Sequence, residues 1–242
     1  MLPCLITVLF GLVGFLDDFI KVKKKQSEGL KPWQKMGLQV LFTGAVLAYM
    51  YFFTDISMNL IIPFTNGMEI NIGWLILPFD FIVILGTDTG ANFTDGLDGL
   101  VTKVTLVIFG FLFLVALKQE SPLIYPIAVF AGSLVGFLLF NSYPAKVFMG
   151  DTGSLALGGA FCASAIMLKM PLVLIVVAGI CVIEAISVIL QVGYFKLTKG
   201  KRLFKMAPIH HHLELSGIKE TIIVPSFWII TILLCILGYN II

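Results

Sequence analysis

The chain has 242 residues, 59% of them hydrophobic and only 12% charged, with a formal net charge of +2. A soluble domain carries about 25% charged residues, so this composition excludes an ordinary water-soluble enzyme and leaves lipid as the solvent for most of the chain. Cys4, Cys162, Cys181 and Cys235 lie in apolar runs without paired spacing, which reads as small buried hydrophobes and not as a disulfide frame or a zinc site.

Apolar runs that can span a bilayer fall at about 1–16, 36–53, 73–88, 101–117, 122–140, 154–170, 171–196 and 222–242. Each is predicted to be helical, because backbone polar groups in lipid must be satisfied within their own segment. The first run is short of the ~20 residues of a full span. It opens without a basic leader or a small-residue cleavage site, so the chain is expected to begin partway into a helix, with an N-terminal piece preceding it. Pro122 and Pro171 sit at helix starts, where a missing N–H costs least. Residues 54–73 contain Asn66-Gly67, a hairpin turn signal. The fold class is therefore all-α: one polytopic integral membrane helical bundle over 1–242, with about eight spanning helices and a short periplasmic β-hairpin.

Lys and Arg set the orientation. Of the 16, only Lys118 and Lys169 fall outside alternate connections counted from 17–35. By the positive-inside rule, 17–35, 88–101, 141–153 and 197–221 face the cytosol. Asp17, Asp18, Asp88, Asp95, Asp98, Asn141, Asp151 and the His210–His212 run all fall on that same side. Orientation was set from cations alone, so this convergence is independent of it.

Four motifs carry the polar chemistry. Gly14 to Lys21 places adjacent Asp17 and Asp18 at an expected helix end, where acids oppose the macrodipole; a plain i,i+4 pair from Asp17 to Lys21 is the structural reading. Asn92 to Leu100 sets Asp95 and Asp98 three apart among glycines, with Asn92 or Asp95 as a helix cap in the simpler reading. Asn141 to Ser154 is a loop entering a helix. Asp151 or Ser154 could cap that helix, Gly150 and Gly153 suit a backbone wrapped near phosphate or metal, and Phe148 could be core or a stacking ring. In Met206 to Glu214 the consecutive His210, His211 and His212 point about 100° apart on a helix, so they cannot all ligate one metal and better suit phosphate, beside Lys201, Arg202 and Lys205. Glu184, Ser187 and Gln191 form a polar stripe inside a span, either paired structurally or functional. Asp80 has no role in this reading.

No Walker loop or dinucleotide glycine fingerprint appears, so no ATP or NAD chemistry and no nucleic-acid partner is implied. Carboxylates facing a phosphate repel it by ~4 kcal/mol at about 4 Å under an effective dielectric of about 20. Mg²⁺, held by one or two carboxylates plus substrate phosphates, turns that repulsion into a bridge. Phosphoryl transfer at the membrane surface is the chemistry that fits.

Gly14–Lys21, Asn92–Leu100, Asn141–Gly159 and Met206–Glu214 resemble, in order and over nearly the whole chain, the signature stretches of the polyprenyl-phosphate N-acetylhexosamine-1-phosphate transferases. Ala207 to Glu214 is similar to the phospho-N-acetylmuramoyl-pentapeptide transferase branch. The resemblance implies transfer from UDP-N-acetylmuramoyl-pentapeptide (UDP-MurNAc-pentapeptide) to undecaprenyl phosphate, giving lipid I and UMP, with Mg²⁺, in the bacterial inner (plasma) membrane. It implies Asp151 as the metal-binding residue, Asp17 as the base on the lipid phosphate with Asp18 beside it, and Asp98 and His211 among the catalytic groups. Asn92, Asp95, Gly96 and Leu97 match the nucleotide loop. Lys21 and Phe148 match positions around the uracil, with Phe148 stacking, while Asn141, Gln191, His210 and His212 match further pocket positions. This chain departs from the pattern at Thr89, where the family has Asn, and it lacks the two helices with which the family begins. A related transferase using UDP-N-acetylglucosamine is the nearest rival. A secondary transporter would carry its ionisable residues near mid-membrane between inverted repeats, which this chain does not show. Oligomeric state, a homodimer included, is not set by the sequence.

Overall fold

A computed structural model describes residues 2–26, 28–54, 56–65 and 67–242. It contains ten α-helices in the described residues: α1 (Leu2–Lys24), α2 (Pro32–Phe53), α3 (Ile76–Thr94), α4 (Leu100–Lys118), α5 (Ile124–Asn141), α6 (Gly150–Met167), α7 (Pro171–Val177), α8 (Gly179–Leu197), α9 (Ile209–Glu214) and α10 (Glu220–Asn240). Seven segments, namely α1, α2, α3 with its short 3₁₀ lead-in at Gly73–Leu75, α4, α5, α8 and α10, are long and apolar enough to cross a membrane. The expected span at 154–170 is α6, and its surroundings are protein more than lipid. It is rich in Gly, Ala and Ser and buried from Ser154 to Ile166 except at Ala156. Small residues let helix backbones approach closely where lipid supplies no hydrophobic drive to associate, so α6 becomes the central post. The run 171–196 divides into α7 and α8 at Ala178.

The closest approach is between α1 and α6. A Cβ on Gly14 would stand 2.1 Å from the Asp151 backbone oxygen, so only glycine allows this crossing. Gly99, at φ 72°, turns the chain into α4, and Gly150, at φ 67°, turns it into α6. Both conformations are left-handed and cost a side-chain-bearing residue roughly 1–2 kcal/mol.

The predicted hairpin is present. β1 (Asn59–Ile61) pairs antiparallel with β2 (Glu69–Asn71), with Leu60 opposite Ile70; Asn66 of the expected turn lies outside the described residues. Ile61 N donates to Lys169 O, Phe64 N to Ile241 O, and Lys169 Nζ to Glu69 at 2.8 Å. The hairpin, the α6–α7 link and the end of α10 therefore share one end of the bundle. The alternate connections 25–31, 95–99, 142–149 and 198–219 meet at the other.

Candidate active site

At that second end, α1 and α6 bring three carboxylates together. One oxygen from each of Asp17, Asp18 and Asp151 lies within 4.8 Å of the others. Helix α1 runs on to Lys24, so Asp17 and Asp18 sit two turns inside it and not at its end as expected. The Asp17–Lys21 pair forms at 2.6 Å, but Lys21 Nζ also lies 2.8 Å from Asp151 and 3.4 Å from Asp18. The ammonium thus stands among all three acids, away from the uracil position that the resemblance implied. Asp17 is buried and accepts Leu30 N at 2.7 Å, in a fit that the bare Gly29 makes room for. Asp18 accepts both the amide and the hydroxyl of Thr152, at 2.9 and 2.7 Å.

Asn92 joins α3 to this cluster. It lies in the last turn of α3 and caps nothing; its Nδ2 donates to Asp151 Oδ1 at 2.9 Å and to Ser154 Oγ at 2.8 Å, and its Oδ1 accepts from Lys35 Nζ at 2.8 Å. Lys35 also reaches Asp151 Oδ2 at 3.0 Å. Sequence reasoning missed Lys35, counting it only among the orienting cations. A cavity of about 280 Å³ opens here, lined by Asp17, Lys21, Lys35, Gln39, Asn92 and Asp151. Asp151 lies in the first turn of α6 and is not its cap. Burial disfavours its charge, but the Asp17 hydrogen bond, Lys35, Lys21 and Asn92 outweigh that and hold the carboxyl well below the usual range.

The 95–98 segment is a loop and not a helix face, so Asp95 and Asp98 diverge. Asp95 follows the end of α3, and burial first, then the charges of Asp151 and Asp18, raise its pKa to about 7. Asp98 stands apart from the acid cluster. Its Oδ2 accepts Ala145 N at 2.8 Å, and its own N–H donates to Glu220 Oε1. Gly96 lies directly on His210, since a Cβ there would be 2.1 Å from Nε2. Leu97 is half-buried against the core.

The three histidines of α9 take separate partners, as their angular spacing requires. His210 is buried, with Nδ1 3.1 Å from Glu184 Oε1 but off the line of a good hydrogen bond, and Glu184 Oε2 accepts Ile209 N at 2.9 Å. His211 pairs with Glu214 at 2.7 Å. His212 accepts Lys205 N and meets Phe204 edge-on. Gln191 Oε1 accepts the amides of Leu203 and Phe204, so it organises the loop before α9. Beside it a cavity of about 460 Å³ is lined by Gln191, Phe195, Lys196, Arg202 and Met206 among others. Asn141 accepts from Thr102 and donates to Val147 O, holding the 142–149 loop on which Phe148 stands 75% exposed. Of the two readings of Phe148, core is excluded. Asp80, without a role in the sequence reading, accepts from Tyr51 OH deep in the bundle.

Three clustered carboxylates offer hard oxygen donors of the kind that hold Mg²⁺, and the ammonium of Lys21 among them shows that the set attracts a cation. The donor set fits.

The family model for glycosyl transferase family 4 matches residues 1–169. The chain is 53% identical over 239 residues to the phospho-N-acetylmuramoyl-pentapeptide-transferase of Acetivibrio thermocellus, covering 97% of this chain and 71% of that protein. The proteins of the same name from Clostridium novyi and Clostridium perfringens are 49% and 51% identical, over 96% and 95% of this chain and 71% and 72% of theirs.

Proposed function

Because the chain belongs to the phospho-N-acetylmuramoyl-pentapeptide-transferase family of membrane glycosyl-phosphate transferases, we propose that it moves phospho-N-acetylmuramoyl-pentapeptide from a UDP donor to undecaprenyl phosphate. The products are lipid I and UMP, the reaction depends on Mg²⁺, and the site faces the cytosol of a bacterial plasma membrane. The observation that carries this reading is the meeting of Asp17, Asp18 and Asp151 with Lys35 and Asn92 at one end of a lipid-embedded bundle.

In this mechanism an oxygen of the acceptor phosphate attacks the β-phosphorus of the donor, and the bond to UMP breaks. A phosphate monoester has its second pKa near about 6, so the nucleophile is already largely ionised and Asp17 has little proton to remove. Asp18, more exposed than Asp17, is the carboxylate with access to the acceptor. Asp151, with Asp17 and Asp18, would hold Mg²⁺, which when bound neutralises the diphosphate and the leaving UMP. Lys35 and Lys21 add positive charge where phosphates gather, and positioning with charge neutralisation supplies most of the catalysis. Phe148 offers a free aromatic face to the uracil, while Asp95, Gly96 and Leu97 shape the loop that receives the nucleotide. Asp98, tied to Ala145, and Asn141 hold the adjoining loop. His210, His211, His212 and Gln191 form the far wall.

Purified chain in lipid nanodiscs should release UMP only when UDP-MurNAc-pentapeptide, undecaprenyl phosphate and Mg²⁺ are all present. Preferential use of UDP-N-acetylglucosamine in direct competition would move it to the related branch. UMP release without a lipid acceptor would overturn the one-step route.

A further inference from the structure

Helices α2 and α3 run antiparallel and are joined by polar rungs. Lys35, Gln39 and Tyr51 share one stripe of α2, spaced in multiples of four, and Asn92, Asp88 and Asp80 share the facing stripe of α3. Lys35 Nζ donates to Asn92 Oδ1 at 2.8 Å, Gln39 Nε2 to Asp88 Oδ2 at 2.8 Å, and Tyr51 OH to Asp80 Oδ2 at 2.6 Å. The middle rung lies one helical turn beneath the acid cluster, and both of its residues are buried. Its third wall is α6. A Cβ on Gly158 would stand 2.4 Å from Asp88 Oδ1, so the glycine makes room for the carboxylate. Gly158 is one turn below Ser154, which takes the Asn92 bond. A layer of Gln39, Asp88 and Gly158 therefore underlies the layer of Lys35, Asn92 and Ser154.

An ionisable side chain inside a span is costly and points to a function. Asp88 touches no part of the cavity itself; it reaches the site only through its neighbours. In lipid, cross-helix hydrogen bonds contribute about 0.6–2 kcal/mol each and select which faces meet. Outside its inward stripe α2 exposes Trp33, Leu41 and Phe52, so little else fixes its rotation near Lys35.

We propose that Asp88 is a positioning residue of the transferase site: by holding Gln39 it sets the rotation and depth of α2 and so seats the Lys35 ammonium on Asn92 and Asp151. This rests on the proposed transferase reading. Asp88→Ala and Gln39→Leu each remove the rung, whereas Asp88→Asn keeps an oxygen for Gln39 Nε2. Two readouts apply to the full chain in nanodiscs: UMP release, and acetylation of Lys35 by acetic anhydride relative to Lys103, read by mass spectrometry. Misplacing a catalytic group by about 1 Å costs up to roughly 100-fold. Asp88→Ala and Gln39→Leu should therefore lower kcat roughly 10- to 100-fold and raise Lys35 acetylation several-fold, and Asp88→Asn should restore both. Global loosening would raise Lys103 labelling as well. Unchanged Lys35 acetylation in either rung-breaking variant, or parallel increases at Lys35 and Lys103, overturns the proposal. Absence of UMP release by the wild type would sink the transferase reading alone, because the acetylation ratio still decides whether Asp88 seats Lys35.

Discussion

Asp151 accepts from Lys21, Lys35 and Asn92 at 2.8, 3.0 and 2.9 Å, and no other carboxylate of the site gathers donors from three helices. Asp151→Asn keeps the shape and removes the charge. Loss of one preorganised electrostatic group costs roughly 100- to 1,000-fold in kcat, and this variant should lose at least that much while its thermal midpoint stays near wild type; UMP release decides it. Asp95 behaves oppositely. Its folded pKa of about 7 lies above the ordinary value of 3.8, so the folded state binds the extra proton. Stability should then fall as pH rises from about 4 to about 7 and flatten above that. Asp95→Asn should remove the slope, measured as thermal midpoints across this range in chelator. Both acids were legible in the sequence, flanked by glycines on the expected face. Lys35 was not, because its role comes from α2 lying against Asn92 and not from any local pattern. Asp98 erred the other way: three residues from Asp95 on paper, it turns instead to Ala145, since the segment is a loop.

At the scale of elements, the acid cluster depends on how closely α1 lies on α6. Gly14 meets the backbone of Asp151 and Thr152, whereas Gly11, one turn earlier, faces only Ala156 Cβ at 3.3 Å. An added methyl at Gly14 has no flexible side chain to displace, so the helices must part. Overpacking of this kind costs about 1–3 kcal/mol, and here it also separates Asp17 and Asp18 from Asp151. Gly14→Ala should therefore lose far more activity than Gly11→Ala, with both folded by size-exclusion chromatography; equal losses would show that the α1–α6 crossing does not set the site. The spans themselves were visible as apolar runs. Their ends were not, because α1 carries its acids two turns into the helix and balances them with Lys21, which a hydropathy window cuts off at Leu16. The break at Ala178 was equally hidden, since nothing around it but Gly179 interrupts the apolar run.

For the whole molecule, the alternation of connections fixes which loops share an end, and the cations fix which end faces inward. The structure satisfies the first condition through contacts such as Ile61 to Lys169 and Phe64 to Ile241 at one end, and Leu30 to Asp17 at the other. The second is an energetic argument: Lys and Arg near span ends resist translocation, and 14 of the 16 flank the acid cluster's end. The direction can be read by labelling. Cys162, Cys181 and Cys235 are buried and Cys4 is exposed, so a Cys4→Ser background leaves little native reactivity. In it, Ser216→Cys lies exposed beside α9 at the site end, and Met68→Cys lies exposed on the hairpin at the far end. A membrane-impermeant maleimide added to intact cells should label the cysteine at 68 and spare the one at 216, and inside-out vesicles should reverse the pattern. Labelling at 216 in intact cells would turn the site outward, away from any cytosolic nucleotide donor, and the transferase reading would fall with it.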